Sequence, residues 1–351
     1  MSFSLIKKHW KLVLNLVTIV ALVVLIYLIR TELYQTIRNL SNLNILVLVL
    51  IIPIEILNYH MQAKMYQNLF KIVGNKLKYK YLYKAALELN LVNHLFPSGG
   101  VTGISYFGVR LRNKDTISGG KATMIQIMKL GLTLLSFEVL LVVGLIILAI
   151  FGKVSNLTIL VSGILSTLLV VATILFGYVV GSKTRINNFF TFLTKGINLI
   201  LYKLFRKKPE SINILRAKKM FNDFHDNYRQ LVGHYKELKS PFWYALMANA
   251  TEILVIYVVY IAFGKFVNIG AIIIAYGVAN FAGLVSVLPG GIGIYEALMT
   301  AVLATAGIPP NLSLPVTITY RVLNTIIQLP PGYYLYHKSL NKGEVDKISR
   351  P

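Results

Sequence analysis

Six long apolar runs, at 12–29, 43–59, 122–151, 157–181, 242–263 and 312–336, decide most of what this chain can become. A helix needs about 20 apolar residues to cross about 30 Å of hydrocarbon, and each run approaches or exceeds that length. In hydrocarbon every backbone N–H and C=O must be satisfied internally, so continuous runs of this kind are expected to be membrane helices. Two further segments, 81–107 and 269–306, are apolar but interrupted midway by Pro and Gly. Irregular backbone at membrane depth survives only where protein buries it, so these two are expected to be re-entrant or broken helices between the full spans. The first run follows Lys7, Lys8 and Lys11 and shows no small-residue cleavage site at Tyr27 to Arg30, so it reads as an uncleaved span rather than a secretory signal.

Charge supports the same division. The chain carries 36 Lys and Arg against 13 Asp and Glu, a net charge of +23, with only 14% charged residues. The basic residues flank apolar runs instead of forming a basic soluble domain, which points to an anionic leaflet rather than nucleic acid. Basic residues collect on the cytoplasmic side of membrane proteins. The amino terminus, 61–84, 108–121, 182–240 and the tail from 338 then lie on one face with thirty Lys and Arg. Arg30, Arg38, Lys153 and Lys265 lie on the other, and Lys129 and Arg321 remain inside spans. This division requires the segment around Pro97 to enter from the cytoplasm and the segment around Pro289 to enter from outside, with both termini cytoplasmic. A single membrane domain, 1–340, is expected, followed by a short cytoplasmic tail at 341–351. The one sizeable soluble part, 182–240, is a basic loop in which Phe221, Phe224, Tyr228, Leu231, Tyr235 and Leu238 repeat at helical spacing.

The broken segments are related. Pro97-Ser98-Gly99-Gly100 and Pro289-Gly290-Gly291 stand 192 residues apart, and the same offset carries Lys129 onto Arg321, Thr133 onto Thr325 and Ser136 onto Gln328. These positions run i, i+4, i+7 and form one polar stripe on each helix. By the charge-derived topology the two spans run in opposite directions. The fold class expected is therefore an all-α polytopic membrane protein, with about six full spans plus two re-entrant Pro/Gly-broken helix pairs. The pairs belong to inverted-topology repeats at about 43–150 and 242–338.

The chain resembles the lysylphosphatidylglycerol synthase transmembrane-region family, the flippase-like domain proteins that include the membrane half of the multiple peptide resistance factor. The resemblance covers about residues 10–340. It rests on Pro97-Ser98-Gly99-Gly100 with Gly103, on Gly120-Lys121-Ala122, on Leu288-Pro289-Gly290-Gly291-Ile292-Gly293 with Glu296, and on Tyr320-Arg321. It implies a lipid flippase-like role. No soluble aminoacyl-transferase segment follows, so aminoacylation is not implied, and Ile104 stands where many relatives carry an acid.

Chemistry is expected at the intramembrane charges, because a charged side chain near a helix centre costs roughly 2.5–3.5 kcal/mol on insertion scales. Lys129 and Arg321 are expected to receive a phosphate-bearing head group, Lys as a point charge and Arg as a bidentate fork, with Thr133, Ser136, Thr325 and Gln328 beside them. Snorkelling, or an ion pair with Glu138, Glu252 or Glu296, is the alternative for each cation. Glu296 either contacts the cargo or a proton, pairs with Arg321, or caps the helix after Gly291 and Gly293. Glu55, Glu88, Glu138 and Glu252 read as pairing partners, and His94 as a satisfied histidine. Cysteine is absent and six His are scattered, with no phosphate loop, nucleophile elbow or metal-spaced cluster. The expectation is a non-enzymatic carrier without cofactor or metal. It would translocate an anionic or lipid-linked head group across the cytoplasmic membrane. Anionic phospholipids are its expected partners, together with a possible lipid-modifying enzyme. The rival readings are a secondary transporter of a soluble anion and an accessory subunit of a lipid or glycosyl transferase.

The topology has a direct test. In this cysteine-free chain, Ser98→Cys is expected to react with an impermeant thiol reagent only from the cytoplasmic side and Gly290→Cys only from outside. Labelling of both from one face removes the inverted arrangement.

Overall fold

The computed structural model describes residues 30–40, 43–95, 101–111, 117–151, 156–185, 231–285 and 291–341, with a few single positions besides. Among the described residues the secondary structure is helical, without a strand. Ten helices carry the description. They are α1 (Arg30–Leu40), α2 (Ile45–Ile72), α3 (Tyr79–Leu95), α4 (Val101–Leu111), α5 (Gly119–Phe151), α6 (Asn156–Val180), α7 (Lys239–Ala262), α8 (Ile269–Val285), α9 (Ile294–Thr305) and α10 (Pro310–Asn341). The predicted breaks at Pro97, Ser98, Gly99, Gly100, Pro289 and Gly290 lie outside the described residues, as do Phe221, Phe224 and most of the first apolar run.

Local chemistry sets the helix ends. Asn44 caps α2 by accepting from the Val47 N–H at 3.4 Å, while its own N–H donates to the Ala262 carbonyl at 3.1 Å and ties the start of α2 to the end of α7. Ser118 caps α5 through the Lys121 N–H at 3.1 Å. Both α2 and α7 stop at a glycine with positive φ, Gly74 at 79° and Gly264 at 69°. There the chain turns back onto its last carbonyls: Asn75 N–H reaches Phe70 and Lys265 N–H reaches Tyr260.

Among the described residues four helices are long and apolar enough to cross a membrane: α2, α5, α6 over 156–179, and α7 together with the preceding turn from Tyr235. The run expected at 312–336 forms the single helix α10, with Pro315, Pro330 and Pro331 inside it. Its prolines and polar residues make it less apolar than those four. The broken segments form α3 with α4 and α8 with α9, of 17, 11, 17 and 12 residues. At 1.5 Å per residue these reach about 16–26 Å, short of the hydrocarbon thickness. One boundary differs from the sequence expectation. The apolar run ending at 59 continues as helix to Ile72, because Ala63, Met65, Tyr66, Leu69 and Phe70 are buried along one face of an otherwise polar stretch.

α2 packs along α7, α3 against α10, α8 against α5, and each short helix against its hairpin partner. Two apolar cores result. One gathers Ile256, Val259, Ile272, Met299 and Leu303 from α7, α8 and α9; the other gathers Tyr66, Leu69, Phe70, Leu82, Phe107 and Met124 from α2 to α5. In the second core the Tyr66 and Phe107 rings stack with centroids 4.6 Å apart. The end of the basic loop joins it through the fully buried Leu231, with Tyr228 and Leu238. Large apolar side chains on α2, α5 and α6 face outward, Leu46, Ile146 and Ile174 among them, as a lipid-facing surface requires.

Small residues let the short helices approach the long ones. A Cβ on Gly270 would stand 2.4 Å from the Gly144 carbonyl oxygen, and one on Gly332 would stand 2.8 Å from the Leu87 carbonyl oxygen. Gly270→Ala is expected to cost about 1–3 kcal/mol by overpacking. Gly163→Ala, which meets nothing within 4 Å, should be near neutral. Thermal unfolding in detergent compares the two.

Candidate functional site

A chain of polar side chains runs through the described helices beside the two cations. Lys129 Nζ on α5 donates to Gln62 Oε1 at 2.7 Å and lies 5.1 Å from the centre of the Tyr66 ring. Gln62 Nε2 donates to Asn58 Oδ1 at 2.6 Å. Asn58 Nδ2 in turn reaches Thr251 Oγ1 at 2.9 Å and Glu252 Oε1 at 3.2 Å on α7. Glu252 Oε2 accepts from the Tyr320 hydroxyl at 2.9 Å and from Asn324 Nδ2 at 3.4 Å on α10. Gln328 Nε2 donates to Asn324 Oδ1 and to Glu55 Oε2, the latter at 2.8 Å. Asn90 on α3 completes the chain by donating to Gln328 Oε1 and to the Tyr59 hydroxyl, while its own carbonyl meets His94 Nδ1 at 3.0 Å. Four helices besides α5 thus contribute to one connected network.

The helices place these groups by simple spacing. Glu55, Asn58, Tyr59 and Gln62 recur three and four apart along α2, where they meet α10, α7, α3 and α5 respectively. Tyr320, Asn324 and Gln328 recur at like spacing on α10. The network holds two carboxylates, Glu55 and Glu252, and among the described residues neither meets a Lys or Arg at ion-pair distance. Glu55 is 2% exposed, and its Oε1 has no hydrogen-bond partner. Burying a charge is costly unless it is paired, and amide and hydroxyl donors alone compensate these two acids only in part.

Arg321 lies one residue from Tyr320 and is differently held. It pairs with Glu296, and its guanidinium carbon stands 4.8 Å from the centre of the Tyr295 ring. Glu296 Oε2 also accepts from the Gly293 N–H at 2.7 Å, so this carboxylate caps α9 and answers Arg321 at once. Two of the three readings open for Glu296 from sequence are therefore both realised. Gly293, with φ 84°, makes the turn that allows them.

Lys129 has no acid partner among the described residues; an amide oxygen and an aromatic face take that place. Of the expected stripes Lys129 and Gln328 sit in the network, whereas Thr133, Ser136 and Thr325 do not. Thr133 donates to the Lys129 carbonyl at 2.9 Å, and Ser136, fully buried, donates to the Thr133 carbonyl and accepts from Asn249 on α7. These two fasten α5 to α7. Thr325 is half-buried and makes none of these bonds. Gly103 is packed tightly under Asn93, whose side-chain oxygen would lie 1.9 Å from an added Cβ. Gly291 takes φ 67° just before α9.

The polar residues that a sequence reading passes over are Asn58, Gln62, Asn90 and Asn324. Their signal is the three-and-four spacing of amides inside apolar runs, which matters only once the helices are known to face one another. A second buried cluster answers Glu88. Arg110 Nε donates to Glu88 Oε2 at 2.6 Å, with both side chains at 3% exposure or less. Tyr106 and Ser339 donate to the same carboxylate at 2.7 and 2.6 Å. Glu88 is thus the pairing partner that its sequence setting suggests, and it locks α3, α4 and α10 together.

Short helices packed against long apolar ones, around an interior of acids, amides and cations, define a polytopic membrane protein with a polar core. The chain belongs to the family described as lysylphosphatidylglycerol synthase TM region, which it matches over residues 12–332. It is also similar to proteins of Methanothermobacter thermautotrophicus described as UPF0104 membrane protein. One match is 30% identical over 97 residues, covering 28% of this chain and 29% of the relative. Another is 22% identical over 125 residues, covering 36% and 37%. The chain thus matches about a third of the length of these curated relatives.

The lock makes its own test. Glu88→Leu or Arg110→Met alone removes one member of this buried pair and should cost about 3–5 kcal/mol. The double variant should regain most of that loss. Thermal stability of the three purified proteins checks the expectation, and a double variant as unstable as the worse single one removes it.

Proposed function

We propose that this protein is a flippase-like transporter that passes an anionic, lipid-linked head group across the cytoplasmic membrane through its polar interior, without covalent chemistry. The observation that carries the reading is Lys129. It is a half-buried cation in the middle of a membrane helix, held by an amide oxygen and an aromatic face, with no described acid to neutralise it. A phosphate supplies the missing charge, and the network from Gln62 to Gln328 supplies hydrogen-bond donors along the way. Acyl chains would remain in lipid while the head group passes. Both termini would be cytoplasmic, anionic phospholipids would be the partners, and a lipid-modifying enzyme would deliver or receive the cargo.

Alternating access from an inverted repeat is part of the same proposal. Support comes from the helix limits. An offset of 192 carries α2, α3, α4 and α5 onto α7, α8, α9 and α10 with every end matched within two residues. The packing follows the same exchange: α3 on α10 corresponds to α8 on α5, α4 on α5 corresponds to α9 on α10, and α2 with α7 maps onto itself. Arg321 on α10 is then the counterpart of Lys129 on α5, and its pairing with Glu296 marks the occupied resting state of one station.

Reconstituted proteoliposomes test this with a fluorescent or chemically trapped anionic lipid. Arg321→Ala should abolish most transport. It should also lose about 3–5 kcal/mol of stability, because Glu296 is left unpaired. Adding Glu296→Gln should restore stability and protein level but not transport. Arg321→Lys keeps the charge and loses the planar fork, and should transport poorly. Normal transport by Arg321→Ala at normal abundance overturns the proposal.

A further inference from the structure

A groove of about 710 Å³ opens on the outer side of the bundle between α2, α3 and α10, away from the polar network. Its lining is graded. Pro53, Leu57, Leu87 and Leu335 form an apolar half, and His60, Lys80 and Lys84 form a basic half. Lys80 and Leu87 lie seven residues apart on α3, so the change from basic to apolar takes about 10 Å along the helix. Among the described residues no acid lines the groove. Lys80 is exposed and Lys84 half-buried, and neither enters an ion pair among the described residues. Beside them Tyr79 and Tyr83 pack with ring centroids 5.9 Å apart. The Tyr79 hydroxyl meets His60 Nδ1 at 2.8 Å, and Lys64 lies 5.4 Å from the Tyr79 ring centre. Tyrosines with a polar tip and an apolar body mark the level of lipid head groups. The apolar half continues outward into exposed Ile56 and Leu57, 57% and 43% exposed, so it is open sideways to the acyl layer.

We infer that this groove binds one anionic glycerophospholipid from the surrounding leaflet, its phosphate between Lys80 and Lys84 and an acyl chain along Leu57, Leu87 and Leu335. Charge and hydropathy select that occupant together. A soluble anion would use the lysines and leave the apolar half wet, and a zwitterionic lipid would fill the apolar half but bring its own cation against the lysines. Basic side chains near a membrane surface contribute about 1 kcal/mol each toward anionic lipid, so two amount to roughly a thirtyfold preference over a neutral lipid of equal chain length. The site also touches the interior. Tyr83 packs edge-on against Tyr59 at 6.3 Å between centroids, and the Tyr59 hydroxyl belongs to the polar network. The inference requires membrane residence only and does not rest on transport.

Native mass spectrometry of the purified full chain, exposed to equal phosphatidylglycerol and phosphatidylcholine, reads the site. The expected result is one retained phosphatidylglycerol per chain, preferred by tenfold or more and not displaced by millimolar inorganic phosphate. Lys80→Gln with Lys84→Gln should reduce the preference to within about threefold, while Leu87→Trp should lower retention of both lipids. A phosphatidylglycerol with a photoreactive group in mid-chain gives a second reading on the unaltered protein, with crosslinks expected at 53–57 and 87. Equal retention of the two lipids, an unchanged preference in the double variant, displacement by phosphate, or crosslinks spread evenly round the bundle each overturn the site. Transport in proteoliposomes is measured separately, so retention without transport overturns the flippase reading alone.

Discussion

Hydrocarbon offers nothing to an unanswered charge or an unpaired amide, and the interior of this protein is organised around that fact. Arg110 is answered by Glu88, Arg321 by Glu296, and the freed backbone at the start of α9 by the same Glu296 carboxylate. Each ion pair ties together two helices adjacent in the chain, α3 with α4 and α9 with α10. Electrostatic compensation and tertiary structure are therefore one event: α3, α4 and α10 meet where Glu88 needs its donors, and α9 meets α10 where Arg321 needs its acid.

Along the α2–α7–α10 seam the compensation is incomplete. Glu55 and Glu252 share amides and hydroxyls but no described cation, and Lys129 leans on an amide oxygen and an aromatic ring. A fully answered network rigidifies the core around it, whereas a partly answered one leaves polar groups unmet in a low-dielectric interior. The contrast lies between α3–α4–α10, where Glu88 accepts from Arg110, Tyr106 and Ser339, and the α2–α7–α10 seam, where Glu55 Oε1 has no partner. The first fits a scaffold, and the proposed path of the head group follows the second.

The cost of close approach is met by small residues. Gly144 with Gly270, and Gly332 against α3, bring short helices within contact of long ones. Without that approach the amides of α2, α3 and α10 would stand too far apart to bond. The outer surface needs no such economy and is filled with Leu, Ile and Val facing lipid. The basic groove beside Lys80 and Lys84 is the exception there, and its grading from cation to apolar wall follows the grading of the membrane itself.

Apolar length determined the helical class, the long spans and the shortness of the segments broken near Pro97 and Pro289, because the bilayer imposes one length scale on every crossing. The offset of 192 residues was legible for the same reason: it relates residues by number, without reference to space. Spacing on a single helix also pointed to Arg321, Lys129, Glu296 and Gln328. What it could not decide was which face of each helix meets which neighbour. Thr133 and Ser136 share a stripe with Lys129, yet they are spent on their own backbone and on Asn249. Asn58, Gln62, Asn90 and Asn324 look unremarkable inside apolar runs, and they become a network only when α2, α3, α7 and α10 converge. A hydrogen bond spanning 190 residues or more has no local signature, so helix packing alone brought Asn58 to Glu252 and Gln328 to Glu55, and among the described residues it left neither acid a Lys or Arg at ion-pair distance.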